Sequence, residues 1–330
     1  MKSLNNKEYA VGNKIVLNVE GVSQWFGNNK ILNDVNIKII QGQFVALVGP
    51  SGCGKTTLFN AILGTCPPKK GIIETNGMQV TGPNRNVGVV YQKYGLYQFL
   101  TAEKNVAFGP MLDTTEWYHR FFMPWYWIPL RKKQLQEARD FLTKVKLGHI
   151  KDNYPSEMSG GQQQRVAIAQ SLIMRPKILL LDEPFGALDE STRESLQKML
   201  LHLYAENLEA KKNGEDPPWT VLFITHELTE AFYIGDRVIG LSRNWYQDTE
   251  NGRINGDFLG ATKVWDKSAP VYHPDAPRDF ELFHRSKQEL REIILSDKSP
   301  IVQREAHVSF WEDLQQGVGT GVAITKRKVK

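Results

Sequence analysis

The 330-residue chain carries 41 Lys and Arg against 36 Asp and Glu, a net charge of +5, and two cysteines. So mild a basic excess neither requires nor excludes nucleic acid or an anionic surface, while the length predicts two or three lobes around a large core. No window holds the ~18 apolar residues of a membrane span, and Met1 to Glu8 lack the apolar run of a signal peptide; the expectation is a soluble, cytoplasmic chain.

In chain order, Ile15–Val19 and Val35–Ile40 alternate as half-buried strands do. Between them, Trp25 and Phe26 either pack in the ordinary way or offer a ring that stacks on a purine. Phe44–Val48 is an unbroken apolar run, read as a buried strand, and Thr57 to Leu63 reads as a helix stopping at Gly64. Between strand and helix lies Gly-Pro-Ser-Gly-Cys-Gly-Lys-Thr-Thr, Gly49 to Thr57, which fits Gly-x-x-x-x-Gly-Lys-[Ser/Thr] in the context that pattern requires. Its glycines permit a turn tight enough for backbone N–H groups to converge on phosphate oxygens. The helix adds the positive end of its dipole. Gly49, Ser51, Gly52, Cys53, Gly54, Lys55, Thr56 and Thr57 are therefore a candidate ATP site, with Lys55 reaching the β- and γ-phosphates and the Thr56 hydroxyl ligating Mg²⁺. A disulfide at Cys53 would distort this turn, so Cys53 and Cys66 are read as free thiols of a reducing compartment.

Pro67-Pro68 stops the helix, and Ile72 to Val80 looks like a hairpin turning at Asn76-Gly77. A second buried strand, Val87–Tyr91, ends at Gln92. A polar residue there faces the ligand crevice of a parallel sheet and could touch metal or attacking water, or be a plain loop residue. From Phe99 to Leu147 the strand pattern gives way to a helical one. Within it crowd Trp117, Tyr118, Phe121, Phe122, Trp125, Tyr126 and Trp127. Pro124 and Pro129 limit any helix there, and Arg131-Lys132-Lys133 opens a new helical pattern through Val145. Trp117, Phe121 and Trp125 are four apart and would share one helix face. Either that face packs against the helical lobe, or residues about 114 to 130 project from it to touch the flank of a membrane-embedded partner or the membrane surface itself.

Ser159 is a good N-cap for the helix leading into Val166–Ile173, and Gly160 and Gly161 clear the approach to its end. This makes a second anion site, which one ATP shares with the first only if two copies of the chain meet head to tail. The apolar strand Ile178–Leu181 closes on Asp182-Glu183. An Asp at a strand end can hold Mg²⁺, usually through water, and a Glu directly after it can orient and polarise the attacking water. Gly186 to Asp189 precedes a helix from about Ser191 to Glu206. A charged loop, Lys211 to Pro218, leads to strand Thr220–Thr225, which ends at His226 where three other strands deliver phosphate or metal groups. The remaining histidines read as ordinary surface or core residues.

Together these motifs resemble, over about residues 15 to 245, the ATP-binding subunits of ABC transporters. The chain shows a Walker A loop, a Tyr91-Gln92 Q-loop, a Ser159-Gly160-Gly161-Gln162 signature, a Walker B ending in Asp182-Glu183, a D-loop and His226. The resemblance implies an α/β fold: a P-loop NTPase (RecA-like) core with an N-terminal antiparallel β-subdomain, an inserted helical subdomain and a C-terminal extension. The implied divisions are 1–95, 96–175, 176–245 and 246–330. It makes Phe26 the adenine-stacking residue, with Trp25 second, and Glu183, His226 and Gln92 the catalytic groups. Thr56, Gln92 and Asp182 become the Mg²⁺ ligands. In the implied head-to-tail dimer, Ser159, Gly160, Gly161 and Gln162, with Asp189 of the D-loop, complete the partner's nucleotide site. Met158 stands where Leu is usual and Gly186 where Ser is frequent; neither change removes a ligand.

The runs Asp182 to Asp189 and Thr225 to Ala231 further resemble importer ATPases, especially the nitrate, sulfonate and taurine group. This implies a motor that couples ATP hydrolysis to small-solute uptake, peripheral on the cytoplasmic face of the membrane. Its implied partners are transmembrane permease subunits, a second ATPase copy and, indirectly, a substrate-binding protein, with no nucleic acid. The alternatives are the motor of an exporter or lipid-handling complex, and a soluble ABC ATPase acting on nucleic acid or ribosomes. Coiled coils, zinc motifs or a second cassette would mark the last, and the sequence shows none. Past Arg253-Ile254 the resemblance is weak. There the chain holds a short helical candidate around Val308 to Leu314, then Gly317, Gly319, Gly321 and a basic end from Lys326 to Lys330; the glycine-rich part is expected to be mobile.

Overall fold

Alternation builds the first layer of the computed structural model, which describes residues 14–114, 122–186, 188–249, 252–255, 259–274, 283–295, 308–311 and 323–324. Strands β1 (Ile15–Phe26) and β2 (Asn29–Ile40) pair antiparallel from Ile15 opposite Ile40 to Phe26 opposite Asn29. β1 runs well past Val19; register shifts between Val19 and Gln24 break the alternation that would have announced it. With β3 (Phe44–Val48) set aside for the second sheet, β4 (Lys70–Thr75) lines the other edge of β1, and β5 (Met78–Gln79) returns through the Asn76-Gly77 turn.

The unbroken apolar runs make the second sheet. Its parallel strands are β3, β6 (Val87–Val90), β7 (Ile178–Asp182), β8 (Val221–Ile224) and β9 (Arg237–Ser242). A hairpin of β10 (Tyr246–Thr249) and β11 (Gly252–Asn255) precedes β12 (Thr262–Ser268), which pairs antiparallel with β9 at the sheet edge. The order is β12-β9-β3-β8-β7-β6, so the sheet takes in residues past 245, where the sequence reading begins its extension. A short parallel pair, β13 (Val271–Tyr272) with β14 (Ala323–Ile324), lies further along the chain.

Helices cover the faces of the parallel sheet because both faces are apolar. On one side α1 (Lys55–Leu63) and the antiparallel sheet enclose Leu17, Val19, Leu58, Ile62, Leu180 and Ile239. The other side carries α2 (Ala102–Thr114), α3 (Pro124–Lys144), α4 (Gly160–Leu172), α5 (Glu190–Lys212), α6 (Leu228–Ile234) and α7 (His284–Leu295). Their buried side chains, Leu142, Ile168, Leu196 and Phe232 among them, join Phe223 in a second core.

Two helix limits differ from the sequence reading. α3 begins at Pro124 and continues through Pro129 rather than opening at Arg131. Proline suits a first helical turn, where its missing N–H has no bond to lose, and Pro129 is exposed, so the carbonyl it frees can meet water. α5 runs on to Lys212, which makes Lys211 helical rather than loop. Buried Asn207 holds those last turns down, donating to the Gly42 carbonyl at 3.0 Å and accepting from the Trp219 N–H at 2.9 Å. Trp117, Tyr118, Phe121 and the glycines at 317, 319 and 321 lie outside the described residues, and of the Val308 to Leu314 candidate only residues 308–311 are described.

At the β9–β12 edge, Arg237 donates to both Asp266 carboxylate oxygens at 2.7 and 2.8 Å, and both side chains are fully buried. Lys263 adds a third bond to Asp266 at 2.8 Å, and the Phe310 ring covers the guanidinium at 3.8 Å. Among the described residues no helix is long and apolar enough to cross a membrane.

Candidate functional site

β3 delivers Gly49 to one end of the parallel sheet and α1 begins at Lys55, so the loop between them turns over a helix N-terminus. A Cβ at Gly49 would lie 2.4 Å from the Leu241 carbonyl oxygen and 2.7 Å from Cys53 Sγ, and Gly54 enters the helix at φ 98°, a conformation L side chains rarely adopt. No side chain caps α1, which leaves its first N–H groups for an anion. Lys55 is buried, and its Nζ donates to the carbonyls of Gly49 at 2.8 Å and Pro50 at 2.9 Å. The ammonium is thus held within the loop rather than in solvent. Thr56 is exposed and Thr57 half-buried, with Ser51 and Gly52 exposed on the loop's crest. Cys53 is buried beneath, where burial pushes its thiol up against the opposing pull of Lys55. Cys53 and Cys66 are both free thiols.

Asp182 ends β7 half-buried. Burial raises its carboxyl, the Glu183 charge raises it further, and His226 and Lys55 oppose both. Glu183 follows at φ 46°, a left-handed conformation that costs energy for such a side chain. Its N–H donates to the Ile224 carbonyl at 3.1 Å, which holds that turn against the end of β8. The two carboxylate oxygens meet different elements. Oε1 pairs with His226 Nε2, just past β8, and Oε2 accepts from Gln92 Nε2 at 3.3 Å, just past β6. Three strand ends therefore converge on one carboxylate.

The Ser159–Gln162 turn is built apart from the phosphate loop. The Gln162 N–H donates to Ser159 Oγ at 3.3 Å and the Ser159 N–H to Gln162 Oε1 at 2.9 Å, a reciprocal cap on α4. Gly160 and Gly161 lie against Tyr94 and Thr192 respectively. Asp189 caps α5, accepting from the Thr192 N–H at 3.0 Å and from Ser191 Oγ at 2.7 Å. The bonds from Thr192 and Ser191 hold its carboxyl down at about 2. Phe26, at the end of β1, is 55% exposed, whereas Trp25 is half-buried; the freer ring is the one the resemblance puts first.

Sequence reasoning passed over the residues that join these pieces. Arg193, in the first turns of α5, donates to the Leu188 carbonyl at 3.2 Å and stands 3.6 Å from Glu230 on α6. Glu230 in turn accepts from Thr225 Oγ1 at 2.8 Å. A Glu on a buried helix face four residues after His226 was the available signal.

The arrangement fits a magnesium nucleotide. Gly49 leaves no room for a side chain beside Leu241 and Cys53, so the loop closes tightly over the helix end; the ammonium of Lys55 lies inside that loop, and Asp182, Gln92 and Thr56 carry side-chain oxygens that could serve as ligands. Among the described residues, no group of three or more His, Cys, Asp or Glu could hold a metal by itself; phosphate oxygens would have to complete the coordination.

The sequence pattern of the ABC transporter family matches residues 32–186. The aliphatic sulfonates import ATP-binding protein of Bacillus cereus is 34% identical over 233 residues, covering 69% of this chain and 82% of that protein. The sulfate/thiosulfate import ATP-binding protein of Pseudomonas putida is 38% identical over 230 residues, again 69% of this chain but only 64% of its own length. A solved ATP-binding cassette, dimeric in a post-hydrolysis state with ADP and Pi bound, is 26% identical, with a TM-score of 0.55 over 76% of this chain and 98% of that one. The fold is that of the P-loop NTPases.

Proposed function

This chain belongs to the ABC transporter ATP-binding family, and we propose that it is the ATP-hydrolysing motor subunit of an importer for small anions of the sulfate or sulfonate kind. The observation that carries the reading is the Glu183 carboxylate, shared between Gln92 and His226 beside the strand end that bears Asp182. When bound, Mg-ATP would supply the electrophilic γ-phosphorus and a divalent charge. Lys55 and the loop N–H groups would hold the β- and γ-phosphates, and Thr56, Asp182 and Gln92 would hold the metal. Phe26 would stack on the adenine. Glu183 accepts the proton of the attacking water, while His226 and Gln92 fix the direction of its carboxylate.

The dimeric state of the solved relative supports a head-to-tail pair of ATPase subunits. In that pair, Ser159, Gly160, Gly161, Gln162 and Asp189 complete the partner's site. The sulfate/thiosulfate and aliphatic sulfonate import relatives support anion import; transmembrane permease subunits, a substrate-binding protein and a place on the cytoplasmic face of the membrane go with that reading. The test is phosphate release from Mg-ATP by the full chain and its Lys55→Ala variant. Turnover that vanishes with Lys55 is expected; equal turnover in both would overturn the site. For the import reading, the reconstituted complex should turn over faster when a loaded substrate-binding protein is added, and indifference to it would sink that reading.

A further inference from the structure

The aromatic start of α3 is not used by the nucleotide site, and its two faces differ sharply. Gln134 and Ala138 are buried, and Gln134 Nε2 donates to the Pro110 carbonyl at 3.0 Å and to Thr114 Oγ1 at 2.5 Å, so that stripe faces α2. With 3.6 residues per turn, Trp125, Ile128, Pro129 and Lys132 form a stripe nearly opposite Gln134, with Tyr126 and Lys133 beside it. All of these are exposed, Trp125 by 70% and Ile128 by 63%. Phe122, just before the helix, is 69% exposed. Arg131, Lys132 and Lys133 are exposed too, and no acidic residue occurs between Phe122 and Gln136.

We propose that this outer face of α3 is an interfacial docking surface for an anionic phospholipid bilayer. The charge and the layering along the helix select that occupant. Trp, Tyr and Ile gather at one end, where they reach the acyl boundary, and one turn later three cations stand at the depth of the headgroups. A helix segment with three cations and, between Phe122 and Gln136, no acidic residue is complementary to an anionic surface rather than to a zwitterionic one. Trp and Tyr are the side chains that favour such an interface. The inference stands apart from the nucleotide reading, since none of these residues touches that site.

The experiment is flotation of the full chain with phosphatidylcholine vesicles, with and without phosphatidylglycerol. Two variants are compared: Arg131→Ser/Lys132→Ser/Lys133→Ser and Trp125→Ser/Ile128→Ser. All five positions are solvent-facing, and unchanged thermal unfolding checks that both variants fold. Wild type should float only with the anionic vesicles. The triple variant should lose roughly 100-fold in partitioning, from three cations each contributing about fivefold. The double variant should bind weakly and lose the quenching of its tryptophans by brominated lipid, a readout that serves even if the triple variant misfolds. Flotation with neither vesicle, or equal flotation of wild type and both variants, overturns the proposal. So does a chain that ignores vesicles but whose Trp125→Ser/Ile128→Ser variant fails to co-purify with a permease, or one that exchanges vesicles for single-stranded nucleic acid.

Discussion

Arg193 Nε stands 3.6 Å from Glu230 Oε1, which ties the helix entered from Asp189 to the helix that follows His226. The tie extends both ways. Arg193 reaches the Leu188 carbonyl, and Glu230 receives the Thr225 hydroxyl, whose oxygen accepts from the Glu227 N–H. The loops carrying Asp189 and His226 thus share one buried carboxylate, and what moves one is felt by the other. Residues linked this way should not behave additively. The double-mutant cycle Arg193→Ala, Glu230→Ala is expected to show a coupling of about 1 kcal/mol in urea unfolding. Simple additivity would mean that the two helices are held independently.

Glu183→Gln keeps the shape of the side chain and removes the proton acceptor. The Gln92 bond at 3.3 Å survives on the amide oxygen, so the loop geometry should hold. Nucleotide affinity is expected to stay, while hydrolysis falls by about two to four orders of magnitude. Gel filtration with Mg-ATP should then show a dimer that accumulates. A variant that turns over normally removes Glu183 from the chemistry, and one that stays monomeric speaks against ATP-driven closure.

The strand–loop–helix from Phe44 to Leu63 was legible because its chemistry is local: an apolar run, fixed glycines and one lysine in nine residues. Gln92, Asp182 and His226 were legible for a related reason, since each follows an apolar run and parallel strands end on one edge. Arg193 was not, because its partner Glu230 lies on another helix and no spacing links them. β12 was hidden for the same cause. Thr262–Ser268 carries Lys263, Asp266 and Lys267, which reads as a solvated segment until Arg237 is placed against Asp266. A buried carboxylate is tolerable only with its partners present, and those come from distant chain.

That pair predicts a large effect. Asp266→Asn leaves the buried guanidinium of Arg237 without its counter-charge and should cost about 3–5 kcal/mol in unfolding free energy. The Arg237 and Lys263 charges and hydrogen bonds lower the Asp266 carboxyl below 3.8, despite burial. Its contribution is therefore complete above the unfolded value and is lost as pH falls through the folded one. A change under 1 kcal/mol would show that the pair is replaceable.

Asp236 should act in the opposite sense. It accepts from the Phe44 N–H and from the Tyr204 hydroxyl, each at 3.1 Å, and burial pushes its carboxyl up from 3.8 to about 6. In that window the folded chain binds more protons than the unfolded one, so this group makes stability fall as pH rises. Asp236→Asn can keep both hydrogen bonds, because its oxygen still accepts from Phe44 and its amide can donate to Tyr204. Urea midpoints measured from about pH 4 to 6 should decline less steeply in the variant than in the wild type. Parallel profiles would assign the slope to other groups.

Gly161 meets α5 more closely than any side chain allows. A Cβ there would lie 1.7 Å from Thr192 Cγ2. Thr192 is restricted at χ1 and its side chain also hydrogen-bonds the Asp189 carboxylate, so it cannot swing its methyl away without loosening that cap. Gly161→Ala should therefore part the start of α4 from the start of α5 at a cost of about 1–3 kcal/mol, and phosphate release should fall with it if the two turns serve one site. Thr192→Ser removes the offending methyl and retains the hydroxyl toward Asp189. The pair Gly161→Ala/Thr192→Ser is accordingly expected to regain most of the lost stability and turnover. If Gly161→Ala alone unfolds like the wild type, the contact is not tight. If stability returns with Thr192→Ser but hydrolysis does not, the glycine serves the nucleotide directly rather than through the packing of the two helices.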